Sequence, residues 1–208
     1  MASILTNLRT TIHVSLALAV IFLVGYAFAY DSIGFGSAFW MAAARWSHVV
    51  AGVMWIGLLW YFNFVQIPTM PDIPDEMKPA IGKHIAPKAL FWFRWGAAFT
   101  VLTGLIVIGL RQAAGSYGFV DVLAFGLLSD GYSAQYSFLG IGIWMALIMA
   151  FNVWFVIWPN QKIALGLVEA EADAKPKAAR TAMLFSRTNT LLSLPMLVAM
   201  AGAQTLFG

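Results

Sequence analysis

Cysteine is absent from the 208-residue chain, and charged side chains are scarce, at 10% of all residues. The lack of cysteine excludes disulfides, thiolate-bound metals, covalently attached c-type haem and cysteine nucleophiles within this chain. Soluble domains usually carry about 25% charged residues, so most side chains here are unsuited to face water. A metal bound by this chain would need histidine, carboxylate or methionine ligands.

Hydrophobic residues make up 61% of the chain and gather in long runs. A helix crosses a bilayer in about 20 residues, so these runs predict an all-α integral membrane protein with about five transmembrane helices. We expect one transmembrane domain over residues 1–208, with spans at 11–30, 38–67, 88–110, 136–158 and 183–207. The apolar stretch 119–128 is too short to cross and predicts an interfacial or re-entrant helix. Pro68, Pro71 and Pro74 are expected to end the second span, and Pro159 the fourth.

The basic residues predict the orientation of the bundle. The N-terminal segment resembles a signal peptide, but we interpret it as a retained first membrane helix. Lysines and arginines favour the cytoplasmic side. With the N-terminus inside, Arg111 is the basic residue left on the outer side beyond the bilayer core. We therefore expect a multi-pass protein of the bacterial inner membrane, with its C-terminus outside. The net charge of +3 is then an orientation signal, not a nucleic-acid surface.

A polar stripe follows one face of the second span. Its members recur every three or four residues: Arg45, His48, Gly52, Trp55, Leu59, Asn63 and Gln66. Ionisable groups inside a span are costly, so each suggests a function and a partner. We predict that His48 is an axial ligand of a b-type haem and that Arg45 binds a propionate or an anionic substrate. The predicted cofactor-binding set is His48, Arg45, Gly52 and Trp55, where the small Gly52 admits a flat cofactor or a neighbouring helix. The alternative is that His48 and Arg45 only hydrogen-bond neighbouring helices.

Polar residues in the other spans extend the candidate site. The predicted substrate-binding set is Asn63, Gln66, Arg94, Asn152, Arg187 and Asn189. The last span presents a polar edge that is expected to face the bundle interior, formed by Ser186, Asn189, Ser193, Met196, Met200 and Gln204. Arg94 could instead extend to the membrane surface, and the amides could simply join helices. His13 and His84 are the alternative pair for a shared ligand or metal, although His84 would also suit an exposed loop. No residue is assigned a catalytic role.

Four stretches of the chain carry a resemblance to a known family. They are the segment from Ala44 to Gln66, Phe93-Arg94-Trp95-Gly96-Ala97, the segment from Asn152 to Lys162, and the segment from Ser186 to Met196. Together they resemble the N-terminal membrane domain of the bacterial membrane-bound, cytochrome-c-linked urate oxidases (urate hydroxylases). The His-x3-Gly-x2-Trp-x-Gly-Leu pattern that begins at His48 is also similar to small haem-binding membrane proteins of the protoporphyrinogen-oxidase and copper-resistance type.

This resemblance implies a membrane oxidoreductase that oxidises urate or a related small molecule and transfers electrons to cytochrome c. The haem predicted at His48 would then be the electron relay. The chain has no Cys-x-x-Cys-His motif, so we expect a short form that lacks the C-terminal cytochrome c domain and uses a separate carrier. The alternative is a non-catalytic, haem-binding accessory subunit of a larger respiratory or photosynthetic complex. A small transporter is disfavoured because no inverted repeat is visible.

Overall fold

The computed structural model describes residues 2–30, 34–129, 132–171 and 173–207, and the regular structure in these ranges is entirely helical. Seven helices occur in the described ranges: α1 Ala2–Leu5, α2 Leu8–Ala29, α3 Ser37–Asp72, α4 Lys78–Ala113, α5 Phe119–Leu123, α6 Ala134–Ala164 and α7 Ala174–Thr205. The all-α prediction is confirmed for this part of the chain.

Four of the helices in the described ranges, α2, α3, α4 and α6, are long and apolar enough to cross a membrane. The fifth predicted span lies in α7, which has 32 residues but is not one of these four. Its polar edge, which includes Asn189, Ser193 and Gln204, lowers its mean hydropathy. The fifth crossing and the direction of the chain through the membrane therefore stay predictions.

The helices continue through the prolines that were expected to end them. α3 runs past Pro68 and Pro71 and ends at Asp72, before Pro74, while α6 runs past Pro159 to Ala164. The expectation was therefore wrong for Pro68, Pro71 and Pro159, although the second span does end within its proline segment. A π-helical segment precedes Pro68 and Pro159: Tyr61–Gln66 in α3 and Asn152–Ile157 in α6. A third, Ile81–Ile85, precedes Pro87 in α4. Proline lacks an N–H and clashes with the carbonyl four residues earlier. The wider π turn makes room for that clash, so the helix continues instead of ending.

Helices α3, α4, α6 and α7 form the bundle core, with α3 packed along α4 and α6 along α7. Small residues allow the backbones to approach. A Cβ atom added at Gly96 on α4 would lie 3.1 Å from the backbone nitrogen of Trp55 on α3. A Cβ atom added at Gly142 on α6 would lie 2.7 Å from the Cβ of Ala199 on α7. Close contact at small residues is typical of helix pairs in membranes.

Helix α2 packs little against this core. Among the described residues of α2, Ala27 is buried. Only 6% of the most apolar stretch of α2 is buried by the rest of the protein. A helix that is apolar on all sides and not covered by protein is suited to contact with lipid. α2 is thus a span-length helix that packs little against the bundle.

The short helix predicted at 119–128 is confined to Phe119–Leu123. Phe125 and Gly126 have φ values of 57° and 69°, in the left-handed region that ends a right-handed helix. α5 packs against α6 at the end of the bundle where α3 begins and α4 ends. The predicted length was wrong because an apolar stretch alone does not reveal this backbone reversal.

Candidate functional site

Polar side chains from three helices meet inside the bundle, and we call Asn63, Asn152, Ser186 and Asn189 the amide cluster. Asn63 Nδ2 on α3 donates to Ser186 Oγ on α7 at 2.8 Å. Asn152 Nδ2 on α6 donates to Asn189 Oδ1 on α7 at 2.9 Å. Ser186 and Asn189 lie one turn apart on α7, so α7 joins the two pairs. The structure thus brings together three residues of the predicted substrate-binding set.

Three members of the amide cluster are deeply buried, and Asn63 is half-buried. Asn189 is 0% exposed, while Asn152 and Ser186 are each 6% exposed. Buried polar groups need hydrogen-bond partners, and Asn189 Nδ2 accordingly also donates to the Met149 carbonyl at 2.9 Å. The sequence pattern predicts Ser186 on the polar edge of α7 but does not assign it to the site. The three-to-four-residue period of the α3 stripe predicts that Asn63 faces the bundle. The hydrogen bond between Asn63 and Ser186 depends on tertiary packing and could not be predicted from that period.

Two amide oxygens beside the cluster are left free. Asn63 Oδ1 and Gln66 Oε1 are buried and have no hydrogen-bond partner within the part of the chain that the structure describes. Both residues belong to the π-helical segment Tyr61–Gln66, one turn apart. A buried acceptor without a partner costs about 1–3 kcal/mol. These two oxygens are therefore positions where the N–H donors of a ligand could bind.

Arg94 is fixed by an aromatic ring rather than by an acid. Its Cζ lies 3.4 Å from the ring centroid of Trp158 on α6, which is a close cation–π contact. Its buried NH1 has no hydrogen-bond partner, and Arg94 forms no ion pair, among the described residues. Sequence analysis did not identify Trp158 as this partner. The guanidinium is thus held between α4 and α6 with its charge not neutralised by a carboxylate.

Three predicted site residues lie outside these contacts. Arg187 is next to Ser186 in the chain, but its side chain is exposed on the other side of α7. His13 on α2 and His84 on α4 are also exposed. No group of three or more His, Asp or Glu side chains suited to hold a metal occurs in the described ranges. The ligand and metal roles of these three residues stay predictions.

His48 is oriented by α4. Its Nδ1 lies 2.9 Å from the Thr100 carbonyl oxygen and 3.3 Å from Thr103 Oγ1. A carbonyl only accepts, so Nδ1 carries the proton and Nε2 keeps its lone pair. Metal-bound histidines commonly donate the other ring N–H in this way. The same hydrogen bond also fits the alternative of a structural contact between α3 and α4.

Gly52 and Trp55 face α4 from the same helix. A Cβ atom added at Gly52 would meet Thr100 Cγ2 at 3.9 Å, so this glycine lies at the helix contact. Trp55 is 0% exposed, and its Nε1 has no partner among the described residues. Both residues pack α3 against α4, and a contact with a cofactor stays a prediction for each.

An open aromatic groove of about 340 Å³ lies between α3 and α4, close to His48. Its walls are almost entirely apolar and include Trp46, Val50, Met54, Trp92, Trp95 and Phe99. Trp92 is 54% exposed and Phe99 is 52% exposed, so the groove opens at the surface of the bundle. Thr103 also lines the groove and contacts His48 Nδ1, so the groove and the histidine share a wall residue.

Comparison with known protein families gives a match for the second half of the chain. Residues 110–205 match the family model described as urate oxidase N-terminal. This segment runs from the end of α4 through α5 and α6 to the end of α7, so it includes Asn152, Arg187 and Asn189 but not the polar stripe on α3. No curated protein and no solved structure matches the chain. The match over residues 110–205 is consistent with a urate oxidase-related family.

Proposed function

We propose that this protein is a membrane oxidoreductase that oxidises urate or a related planar heterocycle and transfers the electrons to a separate cytochrome c. The observation that carries the proposal is the urate oxidase N-terminal match, because its segment supplies Asn152 and Asn189 of the buried amide cluster. The proposed setting is the bacterial inner membrane, crossed five times, with the N-terminus inside and the C-terminus outside.

The free polar atoms suit such a substrate. Urate is a planar anion at neutral pH, with ring N–H donors and carbonyl acceptors. Arg94 offers a cation with a free NH1 donor, while Asn63 Oδ1 and Gln66 Oε1 offer acceptors, none with a partner among the described residues. In this proposal Asn152 and Asn189 hold α6 and α7 together beside the substrate, and the exposed Arg187 contributes least.

A b-type haem at His48 is the proposed electron relay. The donor chemistry fits, because His48 Nδ1 is bonded to the Thr100 carbonyl and Nε2 is left to bind iron. Arg45, one turn along α3, has a buried Nε without a partner in the described ranges, which suits a propionate. When bound, the haem would supply one-electron transfer. The residues of this chain would orient the imidazole and neutralise the propionate.

The electron balance requires an acceptor outside this chain. Hydroxylation of urate with an oxygen atom from water releases two protons and two electrons. Two oxidised molecules of a one-electron carrier are then reduced in each turnover. This chain has no cysteine, so a c-type haem cannot be attached to it covalently. The proposed acceptor is therefore a separate cytochrome c.

A non-catalytic accessory subunit is the second candidate. It is supported by the hydrogen bonds that the amide cluster already makes within the protein, because such bonds also serve to join membrane helices. Trp60 Nε1 makes a further bond of this kind to Ser193 Oγ at 3.0 Å. This candidate predicts co-purification with a stoichiometric partner from a respiratory or photosynthetic complex and no turnover by the isolated chain.

Purified protein, expressed with a supply of haem, tests the first proposal. We expect a reduced-minus-oxidised spectrum of b-type haem and urate-dependent reduction of added cytochrome c. Arg94→Gln is expected to raise the KM for urate at least about tenfold, the effect of losing a charge-assisted hydrogen bond. Arg180→Gln, at an exposed position on α7, is the matched control and is expected to change nothing. Absence of turnover with several c-type cytochromes would reject the catalytic proposal in favour of the accessory subunit.

A further inference from the structure

Two arginines meet at the end of the bundle opposite the amide cluster. Arg45 lies near the start of α3, and Arg111 lies near the end of α4. The two helices are antiparallel, since Trp55 packs on Gly96 and His48 packs on Gly104. Their start and end are therefore neighbours. The Nε of each arginine is buried and has no hydrogen-bond partner among the described residues.

Tyr117, which follows α4 in the chain, connects the two arginines. The Arg111 Cζ lies 5.9 Å from the Tyr117 ring centroid. Burial raises the pKa of the Tyr117 phenol, while the positive charges of Arg111 and Arg45 act against that shift. Both guanidinium groups are thus close enough to act on one phenol. The ring of Tyr136, at the start of α6, lies 5.4 Å from the ring of Tyr117.

No carboxylate in the described ranges neutralises this pair. The ion pairs found there join Lys78 to Asp75 and Lys177 to Asp173, far from either arginine in the chain. The nearest acid along the chain is Asp121, whose Oδ2 accepts the Gly118 amide at 2.7 Å. Its other oxygen accepts the Ser129 hydroxyl, also at 2.7 Å. Asp121 is thus occupied within its own turn, and no carboxylate among the residues that the structure describes pairs with either guanidinium group.

We propose that Arg45, Arg111 and Tyr117 form a binding site for an oxyanion, namely a phosphate or carboxylate group. Guanidinium forks match the planar geometry of such groups and bind them with charge-assisted hydrogen bonds. A bound oxyanion would satisfy both free Nε atoms, which otherwise carry the cost of unpaired buried donors. Arg45 is also the proposed partner of a haem propionate, but Arg111 and Tyr117 belong to neither the haem nor the urate proposal, so the oxyanion site is tested through these two residues. Its ligand has two possible sources, the phosphate of a lipid headgroup or a small anion in solution.

Binding to the purified, delipidated protein in an uncharged detergent separates these sources. Inorganic phosphate and acetate are titrated at constant ionic strength, and nanodiscs with phosphatidylglycerol are compared with nanodiscs of phosphatidylcholine alone. Saturable binding of inorganic phosphate or acetate identifies a soluble ligand. Binding of phosphatidylglycerol without binding of the free anions identifies a lipid headgroup. Either result supports the oxyanion site.

Variants locate the binding. Arg111→Gln is expected to weaken the binding of the anion at least about tenfold, and Arg111→Lys to weaken it less, because charge is kept while the fork is lost. Lys177→Gln, at an exposed position, is the control. Circular dichroism verifies that each variant is folded, and Tyr117→Phe provides a milder second test. Equal binding by the wild type, Arg111→Gln and Tyr117→Phe, or no binding of any probe, would overturn the proposal. Since Arg111 and Tyr117 belong to neither the substrate nor the haem proposal, that result would leave both intact.

Discussion

The contact between α3 and α4 permits a quantitative test at Gly96. A Cβ atom added there would lie 3.1 Å from the Trp55 nitrogen and 3.2 Å from its Cα. Backbone atoms cannot move aside as the tip of a side chain can, so the helices must separate. Overpacking of this kind costs about 1–3 kcal/mol. Gly96→Ala is therefore expected to destabilise the bundle.

Gly109 on the same helix is the matched control, because an added Cβ meets nothing within 4 Å. Both substitutions gain the same helix propensity, about 1 kcal/mol at most in water. That gain cancels in the difference, so Gly96→Ala should be less stable than Gly109→Ala by about 1–3 kcal/mol. The free energy of unfolding in mixed detergent micelles, followed by loss of helical circular dichroism, measures this difference. Equal stability of the two variants would refute the close approach of α3 and α4.

Three further predictions concern the polar groups. Asn189→Leu removes the link between α6 and α7 and is expected to cost about 1–3 kcal/mol in the same unfolding assay, whereas Gln204→Leu, at an exposed position on α7, is expected to cost little. His48→Leu is expected to abolish the Soret band of haem-supplied protein and His84→Leu to retain it; a band that survives in His48→Leu would contradict the haem proposal. The hydrogen bonds from the Gly118 amide and then from Ser129 lower the pKa of Asp121 below 3.8, so its stabilising effect is present above that pH and is lost as the pH falls through the lowered pKa. Asp121→Asn should therefore abolish the fall in the unfolding midpoint that protonation of Asp121 causes at low pH. If the variant shows the same pH profile as the wild type, this prediction is wrong.

The helices could be predicted from sequence to a large extent, because an apolar run about 20 residues long has few structural alternatives. The failures have identifiable causes. Pro68 and Pro159 did not end their helices, since hydropathy does not show that a π turn can absorb a proline. α5 ended early at a left-handed residue, Phe125, a conformation that is rare outside glycine.

The candidate site could be predicted only in part. The period of the α3 stripe placed Asn63 correctly inside the bundle, because residues spaced by three or four share a helix face. Its partner Ser186 lies 123 residues away, and only tertiary packing brings the two together. Gly52 was singled out as the point of close approach, whereas the tighter contact is at Gly96. Tyr117 gave no signal, because a lone tyrosine in a turn resembles any interfacial aromatic residue.

The three π-helical segments also affect how this chain can be compared with others. A π turn holds one residue more than the α-helical turn that it replaces, and each residue corresponds to about 100° of rotation. A homologue without the following proline would therefore be expected to lack that extra residue. An alignment without a gap would shift the residues before or after each segment by one position. Recognising relatives of Asn63 and Asn152 then requires one-residue gaps inside helices, where alignments normally allow none.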